Sequence, residues 1–170
     1  MSHQVFIGVG SNLSNPQVQC ALALEWIAKI PQSQFLQTSS FYQTEPLEVE
    51  SNKDTPWYVN AVCEISTQLT PEQLFVELTA IEKKMGRVRA HVRGAKWESR
   101  VIDLDILAYS NEIIRTDQLT IPHPEIAKRL FVLEPWKEIA PQWIHPVLNL
   151  SVEKIRESCQ DRLKISRLSQ

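Results

Sequence analysis

The sequence predicts an α+β fold, a ferredoxin-like core in which helices flank a mainly antiparallel sheet. Three observations support this fold class: short segments with alternating apolar residues, two helical segments between them, and the order β-α-β-β-α-β. The 170 residues suit a single domain covering residues 1–170, with residues 161–170 expected to form a loose polar tail.

Composition narrows the class of protein. The formal net charge is −2, with 43% hydrophobic and 22% charged residues, which is ordinary for a globular protein and disfavours nucleic-acid binding driven by overall charge. The three cysteines are far apart and form no CxxC pair, which argues against disulfides or a zinc site. Because the first residues lack a signal-peptide pattern and no apolar run could span a bilayer, we expect a cytoplasmic protein with no membrane and no nucleic-acid partner.

The first half of the chain predicts three strands and a helix. Residues 5–9 alternate as a strand does, and Asn15 is expected to cap a helix that starts at Pro16 and ends near Ile30. Residues 35–44 and 59–67 predict two further strands, joined by a polar loop.

The second helix has the clearest boundaries. Thr70, Pro71 and Gln73 form a capping-box pattern at its start, and Gly86 is expected to end it. Four apolar side chains recur on one face at helical spacing: Leu74, Leu78, Ile81 and Met85.

The rest of the chain predicts one strong strand and several shorter elements. Residues 101–109 are strand-like, and Ile113 and Ile121 mark short edge segments. Helical pieces are expected after Pro124, after Pro135 and over residues 151–159.

The pair Asp103 and Asp105 is the strongest chemical feature. Residues two apart on a strand share a face, so the two carboxylates would lie side by side, about 6.5 Å apart at Cα. The opposite, core face would carry Ile102, Leu104, Ile106 and Ala108. Neighbouring carboxylates repel unless a cation lies between them, and Mg²⁺ prefers such oxygen ligands. The alternative is a solvated pair on an exposed edge strand.

A basic stretch precedes the aspartates and comprises Arg87, Arg89, His91, Arg93, Lys96 and Arg100. Guanidinium groups match phosphate oxygens and stabilise charge during phosphoryl transfer. Trp97 within this polar stretch is expected to pack on a ligand or another loop. The alternative is an ordinary solvated surface loop.

Two further short segments bear on phosphate binding. His123 lies between Pro122 and Pro124, which favour an extended or turn conformation from which it could donate to a phosphate. Near the N-terminus, Gly10 is expected to build a tight turn capped by Asn12. That segment lacks the third glycine of a dinucleotide fingerprint, and no P-loop motif occurs in the sequence.

Taken together, these motifs resemble the 6-hydroxymethyl-7,8-dihydropterin pyrophosphokinases of folate synthesis. The resemblance extends from Ile7 to about Pro141, with agreement in order and spacing. The motifs that support it are Gly10-Ser11-Asn12-Leu13, Ser39-Ser40-Phe41-Tyr42 with Thr44, Pro46 and Leu47, Tyr58-Val59-Asn60-Ala61, Gly86-Arg87-Val88-Arg89, Arg100-Val101-Ile102-Asp103-Leu104-Asp105-Ile106, and Pro122-His123.

The resemblance implies that the chain transfers pyrophosphate from ATP, its co-substrate, to the hydroxymethyl group of the pterin and releases AMP. Asp103 and Asp105 would hold two Mg²⁺ ions, and Arg87 and Arg100 would support the transfer. The implied pterin contacts are Thr44, Leu47, Tyr58, Asn60, Trp97 and Phe131. The implied ATP contacts are Glu82, Arg89, Ile106, Thr120, His123 and Arg129. The expected partners are these two small molecules, bound by a monomer.

Three alternative functions can be considered from specific residues and from composition. The family commonly has Trp-Gly-Pro-Arg where this chain has Trp97-Glu98-Ser99-Arg100, so a catalytically weakened paralogue that binds pterin or nucleotide is one alternative. A metal-dependent glycosyltransferase also uses an Asp-x-Asp pair, but the short chain and the arginines argue against it. A ferredoxin-like RNA-binding module is disfavoured by the acidic balance.

Overall fold

The computed structural model describes residues 1–46, 56–86 and 101–169, in which eight strands and four helices are found. The strands are β1 (His3–Ser11), β2 (Ser33–Thr38), β3 (Tyr42–Thr44), β4 (Tyr58–Thr67), β5 (Asp103–Tyr109), β6 (Ile114–Arg115), β7 (Thr120–Ile121) and β8 (Ile165–Arg167). The helices are α1 (Pro16–Ile27), α2 (Pro71–Lys84), α3 (Leu130–Ile139) and α4 (Val152–Ser158), with a 3-10 turn at Ile126–Lys128.

The main sheet confirms the predicted α+β class. Its strand order is β5-β1-β4-β3-β8, with β2 also paired to β4, and every pairing is antiparallel. This is the order expected of a ferredoxin-like core, in which the first strand lies at the centre. Because β1 lies between β4 and β5, its carboxyl end brings residues of both neighbours together.

Helices cover both faces of the sheet and create two apolar cores. On one face α1 and α2 pack over side chains such as Val5, Ile7 and Leu104, and on the other α3 and α4 pack over Phe6 and Leu107. No helix in the part of the chain that the structure describes is both long and apolar enough to cross a bilayer. On the α3 face a cleft lies where α3 begins, beside β1, β4 and β5.

The predicted boundaries of α2 are confirmed. The side chain of Thr70 accepts a hydrogen bond from the backbone N–H of Gln73 at 3.2 Å, and the Gln73 amide accepts from the Thr70 N–H at 2.9 Å. Gly86 follows the helix with φ of +90°, a conformation that side chains with a Cβ disfavour. Both ends are therefore determined by local sequence.

Other boundaries differ from the prediction. The expected single strand over residues 35–44 is two strands, because the chain breaks where Ser39 Oγ accepts from Val62 N at 3.0 Å and donates to Ser40 O. The helix expected after Pro135 instead contains it, since buried neighbours such as Trp136 pack the helix against the sheet despite the lost backbone donor. α1 ends at Ile27 and not near Ile30.

The expected helix cap at Asn15 is also corrected. Asn15 is the N-cap residue, but its φ is 60° and its side chain makes no capping hydrogen bond with the described residues. A left-handed residue turns the chain into the helix, and Pro16 needs no acceptor because it has no N–H.

The expectation of a loose C-terminal tail was wrong. Residues 165–167 form β8, which pairs with β3 at the edge of the sheet. Glu45 and Lys164 exchange hydrogen bonds, from the Lys164 N–H to Glu45 Oε1 at 2.8 Å and from the Glu45 N–H to Lys164 O at 3.1 Å. Pairing with a strand more than 100 positions away leaves no signal in the polar local sequence.

A carboxylate on α3 connects the helix to this edge of the sheet. Glu138 accepts hydrogen bonds from Ser40 N, Ser40 Oγ and Tyr42 Oη at 3.0, 2.9 and 2.7 Å, and Arg167 approaches to 3.6 Å. Partial burial would raise the pKa of Glu138, but these hydrogen bonds, with the Arg167 charge, outweigh it and leave the pKa below its ordinary value.

We expect Glu138→Gln to lose stability in a pH-dependent way. A lowered folded-state pKa stabilises the protein above the ordinary pKa of 4.5, and this contribution is lost as the pH falls through the folded-state value. Urea unfolding of both proteins between neutral and acidic pH would therefore show a stability difference at neutral pH that narrows in acid. A difference that stays constant across that range would contradict this assignment.

Candidate active site

A cleft of about 760 Å³ lies on the α3 face, where β1, β4 and β5 meet the start of α3. Its lining combines acidic, basic, amide and aromatic side chains. The residues that line it include Gly8, Gly10, Ser11, Thr44, Glu45, Tyr58, Asn60, Asp103, Asp105, Leu107, His123, Glu125, Lys128, Arg129, Phe131, Asp161 and Leu163. A volume of this size fits a bound small molecule.

The two aspartates of β5 both face the cleft, as their spacing predicts. In the sheet register Asp103 lies opposite Gly10 and Asp105 lies opposite Gly8. Because neither glycine has a side chain, β1 itself places no side chain beside the two carboxylates.

The predicted orientation of one residue on β5 is wrong. Ile102, Leu104 and Ile106 pack against α1 and α2 as expected, but Ala108 faces α3. A register shift between Phe6 and Ile7 changes which face the later residues of β5 occupy.

The donor set at the aspartates is compatible with magnesium. Asp103 and Asp105 supply hard carboxylate oxygens, and no cluster of three or more potential metal ligands occurs among the described residues. Magnesium is commonly held by one or two carboxylates, with water and substrate phosphates completing its shell. Two aspartates beside an open cleft therefore fit an ion that arrives with a phosphate ligand.

Next to the aspartates lies a fixed amide. Asn60 on β4 is 7% exposed and its Nδ2 donates to Thr44 Oγ1 at 3.0 Å. An ideal Cβ built on Gly10 would lie 2.7 Å from Asn60 Oδ1, so the amide occupies the space that a side chain would need. The expected tight turn at Gly10 is wrong, because Gly10 lies within β1 and its lack of a side chain admits the amide.

The opposite wall carries a histidine beside the 3-10 turn. The backbone N–H of His123 donates to Leu107 O at 2.9 Å, and the ring atom His123 Nδ1 accepts from the backbone N–H of Glu125 at 3.2 Å. In the neutral ring the proton then lies on Nε2, which can donate to a ligand. Burial, then the Arg129 charge, lower the pKa of His123, and Asp103 and Glu125 only partly oppose them.

Arg129 and Phe131 lie at the start of α3 and also line the cleft. The Arg129 guanidinium carbon lies 5.6 Å from the centroid of the Phe131 ring, which is a cation–π distance. The start of α3 thus presents a positive group and an aromatic face to the same space.

Three of the predicted ATP contacts lie away from these cleft walls. Glu82 is 3% exposed and its Oε1 accepts from Leu104 N at 2.9 Å, on the edge of β5. The Ile106 side chain is in the core under α1 and α2, and Thr120 is exposed on β7. Five predicted site residues lie outside the described residues: Leu47, Arg87, Arg89, Trp97 and Arg100.

The sequence reasoning missed several residues that line the cleft. Lys128 could have been found as the neighbour of Arg129, within a short basic pair. Glu45, Asp161 and Leu163 reach the cleft because β8 pairs with β3, which no local pattern predicts.

The chain is similar to known proteins of one enzyme family. Residues 6–141 match the family model described as 7,8-dihydro-6-hydroxymethylpterin-pyrophosphokinase (HPPK). A 2-amino-4-hydroxy-6-hydroxymethyldihydropteridine pyrophosphokinase from Haemophilus influenzae is 40% identical over 93% of this chain and 94% of its own length. The folic acid synthesis protein fol1 of Pneumocystis carinii is 41% identical over 92% of this chain, which spans 20% of that longer protein.

Solved structures support the fold. A Plasmodium falciparum HPPK-DHPS with pteroate superimposes with a TM-score of 0.73 at 13% identity, over 92% of this chain and 42% of that one. An HPPK-DHPS in complex with substrates gives a TM-score of 0.70 at 14% identity, over 93% and 43%. The chain therefore corresponds to less than half of those proteins, and at such identity the likeness concerns the fold alone. From the family match and the H. influenzae relative together, we conclude that this chain belongs to the 7,8-dihydro-6-hydroxymethylpterin-pyrophosphokinase (HPPK) family.

Proposed function

We propose that the chain transfers pyrophosphate from ATP to the hydroxymethyl group of 6-hydroxymethyl-7,8-dihydropterin, releasing AMP, in folate biosynthesis. The observation that supports it is the convergence on one cleft of a carboxylate pair, a histidine and an arginine that can donate to phosphate, and a pocket with an amide and an aromatic ring. The hydroxymethyl oxygen attacks the β-phosphorus and releases its proton, and the bond from that phosphorus to the α–β bridging oxygen breaks.

In this proposal Asp103 and Asp105 hold two Mg²⁺ ions. Bound magnesium would neutralise phosphate charge and stabilise the charge that develops during transfer. The aspartates themselves would fix the position of the phosphates near the end of β1, where Gly8 and Gly10 add no side chains of their own.

The basic groups would bind the triphosphate on the opposite side. His123 can donate from Nε2 because Nδ1 is already an acceptor, and Arg129 supplies a guanidinium beside it. The resemblance assigns Arg87 and Arg100 to the transfer and Arg89 to ATP binding. It also assigns to ATP binding Glu82, Ile106 and Thr120.

The pterin would lie between aromatic rings and against an amide. Phe131 and Tyr58 line the cleft from different elements, and Asn60 and Thr44 form a hydrogen-bonded pair that also lines it. A flat heterocycle with hydrogen-bonding edges suits this arrangement because rings stack and a fixed amide discriminates edges. Leu47 and Trp97 complete the pocket in this proposal.

One experiment separates this function from a weakened, ligand-binding paralogue. The purified protein is mixed with ATP, Mg²⁺ and hydroxymethyl-dihydropterin, and adenine nucleotides are separated by chromatography. We expect AMP to form in proportion to the pterin consumed. We expect no AMP when pterin is omitted or when the metal is chelated. Pterin binding without AMP would favour the paralogue, and ADP as the product would contradict pyrophosphoryl transfer.

We also propose that the protein acts as a cytoplasmic monomer. Gel filtration combined with light scattering would check the oligomeric state, and a dimer with a buried cleft would contradict it.

A further inference from the structure

We propose that Asp161 is a positioning residue for pterin binding, acting through the start of α3. The inference rests on the proposed function, since it concerns how the pterin pocket keeps its shape. Asp161 lies beyond residues 6–141 that match the family model, on a segment that the sequence alone predicts to be a loose tail.

Both oxygens of the Asp161 carboxylate are used by backbone donors. Oδ2 accepts from the N–H of Leu130 at 3.0 Å, and Oδ1 accepts from the N–H of Leu163 at 2.9 Å. Leu130 is the first residue of α3, and its N-cap residue is an arginine, which lacks the short side chain that usually caps a helix. A carboxylate 31 residues further along the chain therefore performs the capping, at the end of the helix that favours negative charge.

The segment after Asp161 is attached to the opposite wall of the cleft. Lys164 and Glu45 exchange backbone and side-chain hydrogen bonds, and β8 pairs with β3 so that Ile165 lies opposite Thr44. Thr44 in turn accepts from the Asn60 amide. One short segment thus joins the helix start that carries Phe131 to the strand that supports Asn60.

This connection predicts a specific defect. Without the carboxylate, the first turn of α3 loses its acceptor, and Phe131 loses its fixed distance from the β3 wall. The pterin then binds more weakly, whereas Asp103 and Asp105 on β5 keep their place. The expected result is a higher KM and Kd for pterin with a smaller change in kcat.

The test compares Asp161→Asn with Glu157→Gln, which removes an exposed charge on α4 in the same region. An asparagine side chain has one carbonyl oxygen, which can accept from only one of the two backbone N–H groups of Leu130 and Leu163. Its NH₂ group then faces the other N–H, where two donors oppose each other. We expect Asp161→Asn to raise the pterin Kd, measured by fluorescence titration, and the pterin KM about tenfold, which corresponds to ~1.4 kcal/mol. We expect kcat to change less than about threefold and Glu157→Gln to resemble the parent protein.

A double-mutant cycle with Phe131→Leu shows whether Asp161 acts through the ring. If it does, Asp161→Asn has little further effect on the pterin Kd once the ring is removed. Full additivity, an unchanged Kd, or a loss of kcat alone would each overturn the proposal. If the asparagine variant does not fold, Asp161→Glu restores a carboxylate, and we expect its Kd to lie near that of the parent; a Kd as weak as that of Phe131→Leu would overturn the proposal.

Failure of the proposed function has a different signature. It would show as a parent protein that forms no AMP from ATP and pterin, whichever residue stands at position 161. The Kd comparison and the double-mutant cycle need no turnover, so they test Asp161 independently of that result.

Discussion

Replacing either cleft aspartate, as Asp103→Asn or Asp105→Asn, is expected to reduce kcat by about a thousandfold or more. Asparagine keeps the size of the side chain but lacks the negative charge that holds a hard cation. Both side chains face the cleft beside a glycine, so no neighbouring carboxylate on β1 can replace them. The rate of AMP formation at saturating ATP and Mg²⁺ measures the effect.

Two controls make this result interpretable. Asp117→Asn, at an exposed position between β6 and β7, removes the same charge away from the cleft and should retain turnover. Thermal unfolding of the two cleft variants should stay close to that of the parent, because removing one of two neighbouring carboxylates relieves repulsion. Turnover within a few-fold of the parent in both cleft variants would refute the metal site.

The second large effect is expected from Gly10→Ala. The added Cβ would lie 2.7 Å from Asn60 Oδ1, which is shorter than real contacts, so the buried amide must move. Moving it disturbs the 3.0 Å hydrogen bond to Thr44 and misplaces the group expected to bind the pterin edge. We expect the pterin KM to rise about tenfold to a hundredfold. Steady-state kinetics with varied pterin concentrations measures this.

Gly8→Ala provides a matched comparison on the same strand. Its Cβ would meet Leu107 Cδ2 at 3.3 Å, so the apolar end of that side chain has to shift by only a few tenths of an ångström. We expect the pterin KM to change less than about threefold in this variant, because no fixed polar group has to move. Equal effects from both substitutions would show that strand packing, and not the Asn60 amide, explains the loss.

Elements with local signals were predicted well. The capping box at Thr70 and the stop at Gly86 were confirmed because the hydrogen bonds involved join residues within one turn of the helix. The α+β class and the common face of Asp103 and Asp105 were also confirmed, since apolar periodicity and the two-residue repeat of a strand are local properties.

Errors arose where distant contacts override local preference. Pro135 lies inside α3 because Trp136 and Leu133 are buried against the sheet, which outweighs the loss of one backbone donor. Gly10 continues β1 and does not turn the chain, because strands on both sides pair with it. The residues next to Gly10 in sequence predict neither its pairing with β4 nor its pairing with β5.

The features of the site also fall into those that the sequence predicts and those that depend on distant contacts. By itself the sequence determined the family, the carboxylate pair and the fold class, because each depends on residue identity and spacing along the chain. Only the tertiary structure decided that Gly8 and Gly10 lie opposite the two aspartates, that Asn60 fills the space over Gly10, and that Asp161 caps α3. These features are contacts between segments far apart in sequence, and they exist only once the sheet has brought the segments together.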